Sequence, residues 1–231
     1  MNVAVLQSNY LPWRGYFDII HDVDTFVFYD DVQYTVNDWR NRNRIKTANG
    51  PVWLTIPVGN QNDRRICDVE LRDPSWARKH WRTIEQAYGR APHFAVVAPF
   101  LRDLYAQPWT SLSALNQYAI TTIAREFLGI RTTFRDSREF PLDGQKGDRL
   151  LDLLRQVGAT DYVSGPSAQA YLDVAAYADA GIRVRWKDYS DYPTYPQMHG
   201  DFLPAVSIID VLVQCGPGAA EVIWGHRERV S

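Results

Sequence analysis

What most constrains the fold is an alternation in the second half of the chain. Short apolar or β-branched runs at 130–134, 161–163 and 182–186 are separated by stretches of helical spacing at 146–157 and 168–180. Glycines at 129, 158 and 181 stop the helices. Strand, helix, strand, turn, helix, strand at these spacings is the βαβ pattern of a parallel sheet with right-handed crossovers. The opening of the chain repeats it. An apolar run at 3–7 closes on Gln7, Pro12 and Gly15 break the pattern, and 14–21 fits a short helix with Phe17 and Ile20 on one face. A second strand follows at 25–29. The expected fold is α/β, a mostly parallel central sheet with flanking helices.

Between these halves the pattern changes. Residues 51–58 and the alternating run 66–71 are expected to pair as antiparallel strands across the polar loop 59–65. A helix is expected from Pro74, after Asp73, to Gly89, with Trp76, His80, Ile84 and Tyr88 on one face. Residues 94–100 fit either state, 101–105 is a short helical piece, and Ser111 caps a helix running to 128. Residues 74–128 thus form a helical insert within one domain, 1–231. A length of 231 residues with 45% apolar content can bury one full core. Beyond the last strand come the tyrosine-rich loop 188–204, a helix from Ser207 to about Gln214, a turn at 219–223 and a charged tail.

Composition excludes several classes. A formal charge of -2 provides no field that recruits nucleic acid or an acidic membrane. Two cysteines, Cys67 and Cys215, make no disulfide framework and fit a reducing compartment. No 18-residue apolar run and no signal-like opening are present, so a soluble, cytoplasmic protein without membrane insertion is expected. GxGxxG, the P-loop, CxxC, HExxH and GxSxG are all absent, and the five histidines lack metal spacing, so no metal site is expected. His80 reads as a packed or surface side chain. Neither cysteine sits where a thiolate would be favoured.

Open parallel sheets bind ligands beyond the carboxyl ends of their strands. Gln7, Asp30-Asp31 and Ser164 close three such strands. One cleft lined by Gln7, Tyr10, Trp13, Tyr16, Asp31, Gln33, Ser164, Tyr195 and Gln197 is expected, with the tyrosines of 188–204 covering it. Asp31, Gln33, Gln7 and Tyr16 are the candidate catalytic groups, Asp31 as a base or as an orienter of a hydroxyl. Tyr10, Trp13, Arg42, Arg44, Lys46, Ser164, Tyr195 and Gln197 are the candidate substrate-binding groups. The run Arg40, Arg42, Arg44, Lys46 fits a phosphate or carboxylate clamp, or a solvated basic face. The turn Ser164-Gly165-Pro166-Ser167 fits an anion site at a helix start, or a cap needing no ligand. The same groups also fit a set of satisfied core and turn side chains.

Several blocks carry a family resemblance. They are Gln7-x-x-Tyr10-x-Pro12-Trp13-x-Gly15-Tyr16-Phe17, Asp30-Asp31-x-Gln33-Tyr34, Trp39-x-Asn41-Arg42-x-Arg44-x-Lys46, Trp53-Leu54-Thr55-x-Pro57-Val58, Ser164-Gly165-Pro166, Tyr195-x-Gln197 and Phe202-x-Pro204-x-x-Ser207-Ile208-Ile209-Asp210. Together they resemble the WbqC-like family over nearly the whole chain. The resemblance implies surface-polysaccharide or specialised-metabolite biosynthesis. Pro12-Trp13-Arg14-Gly15-Tyr16 also resembles the HxGH turn of nucleotidyltransferases and class I synthetases, with Trp13 and Tyr16 where that family has phosphate-stabilising histidines. Three classes follow. One is a transferase moving an acyl or related group onto an amino sugar or amino acid precursor. Its substrate would be a nucleotide, nucleotide sugar or acyl thioester, and its partner a carrier protein or another biosynthetic enzyme. The second is an ATP-using ligase or nucleotidyltransferase. The third is a non-catalytic small-molecule-binding or scaffold protein.

Overall fold

The runs expected as sheet strands all enter one sheet of the computed structural model, which describes residues 1–225. They are β1 (Asn2–Leu6), β2 (Thr25–Phe28), β5 (Thr133–Asp136), β6 (Asp161–Ser164) and β7 (Arg183–Trp186). Their order is β5-β2-β1-β6-β7, and every pairing is parallel. Val3 lies opposite Thr25 on one side of the central strand, and Asn2 opposite Asp161 on the other. Side chains alternate across a strand, so Ala4, Phe26 and Phe28 enter one apolar core and Val3, Val5 and Val27 another. Helix α1 (Arg14–His21) packs in the first core. Helices α5 (Lys146–Val157) and α6 (Val174–Asp179) pack in the second through Leu151, Leu154 and Tyr177. Both faces of the inner strands β1, β2 and β6 are thereby covered, whereas the edge strands β5 and β7 carry arginines and stay partly exposed.

The strand expected at 130–134 forms three residues later. Thr132 explains the shift: its hydroxyl donates to the carbonyls of Ile20 (2.7 Å) and Val23 (3.0 Å), so it is spent on the end of α1. The ladder starts at Thr133, whose N–H reaches Asp24.

The antiparallel pair also differs from expectation. It consists of β3 (Arg42–Thr47) and β4 (Gly50–Thr55), with Arg44 opposite Trp53. The tight connection needs a positive φ at Gly50 (98°), which glycine adopts without strain. Residues Ile66–Asp68, expected in a strand, make a single 3-10 turn. Its backbone is held by Val32 and Asp30, with Ile66 N–H donating to the first carbonyl and Cys67 N–H to the second. The buried residues there are Ile66, Val69 and Leu71, a spacing set by the turn and not by a ladder.

Between β2 and β5, which are neighbours in the sheet, the chain makes its longest excursion. It contains α2 (Ser75–Tyr88), α3 (Phe94–Ala106) and α4 (Leu112–Thr122). Trp76, His80, Ile84 and Tyr88 are all buried, as their four-residue spacing requires. Helix α3 extends through Pro99 because Phe94, Val97, Leu101 and Leu104 keep one apolar face. Ser111 caps α4 by accepting from Ala114 N–H. The helix expected over 168–180 divides into a 3-10 turn at Pro166–Ala170 and α6, which Asp173 caps. Helix α7 (Ile208–Cys215) starts at its Ser207 cap. The charged tail expected at the end, with His226, lies outside the described residues from 226 on. Among the described residues no helix is long and apolar enough to cross a membrane.

Candidate functional site

Numbered among themselves, the five parallel strands run 3-2-1-4-5. The order reverses between β1 and β6, and in such sheets the carboxyl edge at the reversal is the usual ligand crevice. Gln7 and Ser8 follow β1, Asp30 and Asp31 follow β2, Asp136 and Ser137 end β5, and Ser164 ends β6.

Three of these strand ends meet in one hydrogen-bonded array. Ser8 N–H donates to Asp30 Oδ1 at 2.7 Å. Asp30 Oδ2 accepts from Ser113 Oγ (2.5 Å) and from Gln117 Nε2 (3.0 Å), both on α4. The same amide donates to Asp136 Oδ2 at 2.9 Å. Arg138 grips Asp136 through Nε and Nη2 at 2.8 and 2.7 Å. Asp31 accepts from Ser137 Oγ and from Arg149 Nη2 on α5. On the β1 side, Arg40 holds the Gln7 carboxamide at 2.7 Å and that of Asn9, and pairs with Asp38 at 3.4 Å.

These contacts set the charges. Burial pushes the Asp31 carboxyl up, but the hydrogen bonds from Arg149 and Ser137 outweigh it, and the group lies below the ordinary carboxylate value. Asp136 behaves likewise, burial being outweighed by Arg138. Both are ionised at neutral pH. An ionised Asp31 held by a guanidinium orients a substrate proton better than it removes one.

The other expected residues are placed differently. Tyr16 is buried and donates to the Gln7 carbonyl at 2.9 Å, fixing the end of β1. Trp13 lies over Gly15, where any Cβ would come within 2.3 Å of the indole, and packs edgewise on Tyr189 and Tyr192. Tyr10 is in the core, bonded to His80 Nδ1 (2.8 Å) and Tyr105 (2.6 Å). Burial lowers His80 to about 4, so the imidazole is neutral. Gln33 is exposed and donates to the Asn62 carbonyl. Ser164 is buried at the end of β6.

Lys46, Tyr195 and Gln197 come together around Asp210 on α7. Asp210 Oδ1 accepts from Tyr195 (2.8 Å) and Gln197 (2.9 Å), and Oδ2 from Tyr88 (2.8 Å). Lys46 Nζ donates to Gln197 Oε1 and to the carbonyls of Gly200 and Asp201. Burial pushes Asp210 above its ordinary value despite these donors. Arg42 and Arg44 lie on the β3–β4 hairpin surface, bonded to the carbonyls of Asn37 and Ala205.

The expected residues therefore divide among the sheet edge (Gln7, Tyr16, Asp31), a clamp around Asp210 (Lys46, Tyr195, Gln197) and a hairpin face (Arg42, Arg44), with Tyr10, Trp13, Gln33 and Ser164 outside all three. An open groove of about 530 Å³ runs along α4 past Gln117, Tyr118, Arg125 and Arg138, reaching the outer side of the array. A second, of about 350 Å³, follows the basic face of α2. None of the twelve candidate residues lines either groove.

Sequence reasoning missed Gln117, Asp136, Ser137, Arg138, Arg149 and Asp210 as participants. Asp136 ends a strand as Asp30 nearly does, so the strand-end rule reaches it once β5 is placed correctly. Gln117 and Arg149 sit on helix faces with no local signal. Among the described residues no three His, Cys, Asp or Glu side chains are grouped to hold a metal.

Fold and array together define a doubly wound parallel α/β protein with its ionised groups gathered at the carboxyl edge. The chain belongs to the WbqC-like protein family, whose model matches residues 7–222. It is 45% identical over 224 residues to the uncharacterized protein Rv1507c of Mycobacterium tuberculosis, with 96% of each chain covered. No solved structure matches it.

Proposed function

We propose that this protein is a transferase that moves an acyl or related group from an activated, anionic donor to the amine of an amino sugar or amino acid precursor. The observation that carries the reading is the convergence of three strand ends on one array of paired aspartates and arginines beside an open groove. Arg138, whose Nε and Nη2 stay on Asp136, lines the groove and offers its remaining guanidinium edge to a phosphate or carboxylate oxygen. Asp31 orients the acceptor, and Gln7, fixed by Arg40, offers a carboxamide at the same edge. In the transfer, the amine nitrogen bonds to the donor carbonyl carbon, the bond to the leaving thiolate or phosphate breaks, and the amine proton leaves to solvent or the leaving group.

The ligase or nucleotidyltransferase reading draws on the 3-2-1-4-5 strand order. Against it, Trp13 and Tyr16, at the positions of the HxGH histidines, are engaged in packing and in fixing β1. The transferase reading is tested by melting the protein with nucleotides, nucleotide sugars and acyl thioesters, each with and without amine acceptors. A donor at a hundred times its Kd stabilises by about 2.7 kcal/mol. For a domain of this size that raises Tm by roughly 5–10 °C. A donor should shift the wild type and then be consumed only when an acceptor is added. No shift with any donor overturns the reading, and a shift without turnover favours the binding protein.

A further inference from the structure

We propose that Trp39 and Trp53, with Arg42 and Arg44, form a stacking subsite for a nucleoside diphosphate, the unit shared by nucleotide sugars and coenzyme A thioesters; the assignment rests on the transferase reading above. Tryptophan is a highly buried residue type on average, yet these two are 43% and 44% exposed. Their rings pack against each other in a tilted pair, centroids 5.6 Å apart and planes 35° apart, as one exposed aromatic cluster.

The hairpin explains why the cations gather there. Arg44 faces Trp53 across the β3–β4 ladder, and Arg42 lies two residues along on the same face. Their guanidinium carbons sit 4.5 Å (Arg42) and 5.5 Å (Arg44) from the centre of the Trp53 ring. Lys46, next along that face, is turned under Gln197–Asp201 and spent there. Among the described residues, Arg42 and Arg44 are bonded to backbone carbonyls and to no carboxylate, which leaves their positive charge uncompensated there. The carboxylate of Asp38, beside Trp39, is paired with Arg40. The patch thus offers two indoles and two cations without a balancing acid, complementary to a ring carrying phosphates. Bases stack on tryptophan regardless of their identity, and guanidinium forks fit phosphate oxygens.

The cluster also leads toward the sheet edge. Trp39 directly precedes Arg40, which holds Gln7 and Asn9 beyond β1, and its carbonyl accepts from Tyr10 N–H at 2.9 Å. A base on the indoles places the far end of an extended diphosphate ligand in the direction of the array.

The test is a tryptophan-fluorescence titration of the full chain with ADP, UDP, coenzyme A, adenosine and inorganic pyrophosphate. At least one of ADP and UDP should quench saturably, adenosine should bind more weakly, and pyrophosphate should compete without quenching. Trp39→Ala and Trp53→Ala should each weaken binding on the order of tenfold. The pair Arg42→Ala/Arg44→Ala should weaken it further and flatten its salt dependence. Unchanged far-ultraviolet circular dichroism checks that each variant folds. Preference for ADP and coenzyme A identifies a thioester source, and preference for UDP a nucleotide sugar. Three results overturn the subsite. One is wild-type affinity for nucleoside diphosphate in all the variants, which leaves the transferase reading standing. Another is a concentration-dependent dimer abolished by Trp53→Ala, which assigns the patch to a second copy. The third is absence of any quench up to millimolar nucleotide. The transferase reading fails separately, when no donor raises the melting temperature.

Discussion

Asp31 and Asp210 are both largely enclosed carboxylates gripped by side chains from distant elements, yet they are held by opposite chemistry. Asp31 faces a guanidinium and a hydroxyl at the sheet edge and is pushed toward the ionised form. Asp210 lies deeper, faces two phenols and an amide, and is pushed by burial toward the protonated form. The first arrangement keeps a charge at the sheet edge, paired with Arg149 and lining neither groove. The second fastens the segment from Tyr195 to Leu203 onto α2, β3 and α7. A polar residue near a strand end and a polar residue in a shared motif look alike in sequence, while only the first kind is poised at a surface.

Removing Asp210 should have the largest effect. Asp210→Ala strands the donors of Tyr88, Tyr195 and Gln197 in the core, which costs about 3 kcal/mol or more. For a chain of this size that lowers Tm by roughly 6–12 °C in calorimetry. Lys46→Met should come next, at about 2 kcal/mol, because three acceptors lose a charged donor. If Lys46 instead belonged to the substrate site, the variant would melt like the wild type and lose ligand affinity.

Arg149→Met should cost only about 1 kcal/mol, since the pair with Asp31 is partly open to solvent. Its effect on donor binding should exceed its effect on stability. Equal losses in Arg149→Met and Lys46→Met urea melts would erase the distinction between the two regions.

The pH dependences should have opposite sign. Asp31 has its folded pKa below the unfolded value of 3.8, so its contribution is present above that value and is lost as pH falls through the folded pKa. Asp210 has its folded pKa above 3.8, so its contribution is present below that value and is lost as pH rises through the folded pKa. The stability gap between wild type and Asp31→Asn should therefore widen with rising pH, and that for Asp210→Asn should narrow. Urea melts across the acid range measure both, and slopes of the same sign would refute the contrast. The smallest effect concerns His80, whose NMR titration midpoint should fall at about 4, with the imidazole neutral above it.

The parallel sheet was legible because it is written locally: apolar or β-branched runs at β1, β2 and β6, alternation at β7, and glycine stops at 158 and 181. The β3–β4 hairpin was not, because Arg42–Thr47 is charged and its burial depends on Gln197–Asp201 closing over Lys46. For the site, strand-end reasoning leads to Gln7 and Asp31, which lie at the carboxyl ends of β1 and β2, whereas Lys46 of the basic run and Tyr195 and Gln197 of the loop lie around Asp210 instead. Their partner Asp210 is on a helix whose approach to β3 no local pattern encodes. Gln117 and Arg149 lay beyond reach for the same reason: a helix face names its own neighbours, not the strand it will meet.

The position of β1 has a consequence for the chain as it leaves the ribosome. The central strand is translated before both of its neighbours, and the second comes much later: Met1 and Thr160, which meet beside the β1–β6 ladder, are separated by 159 residues. At typical elongation rates the apolar edge that β6 will occupy waits roughly 8–30 s for its partner. During that interval the nascent chain carries an open pairing edge made of Val3, Ala4 and Val5, the kind of surface that chaperones shield and that neighbouring polysomal chains can invade.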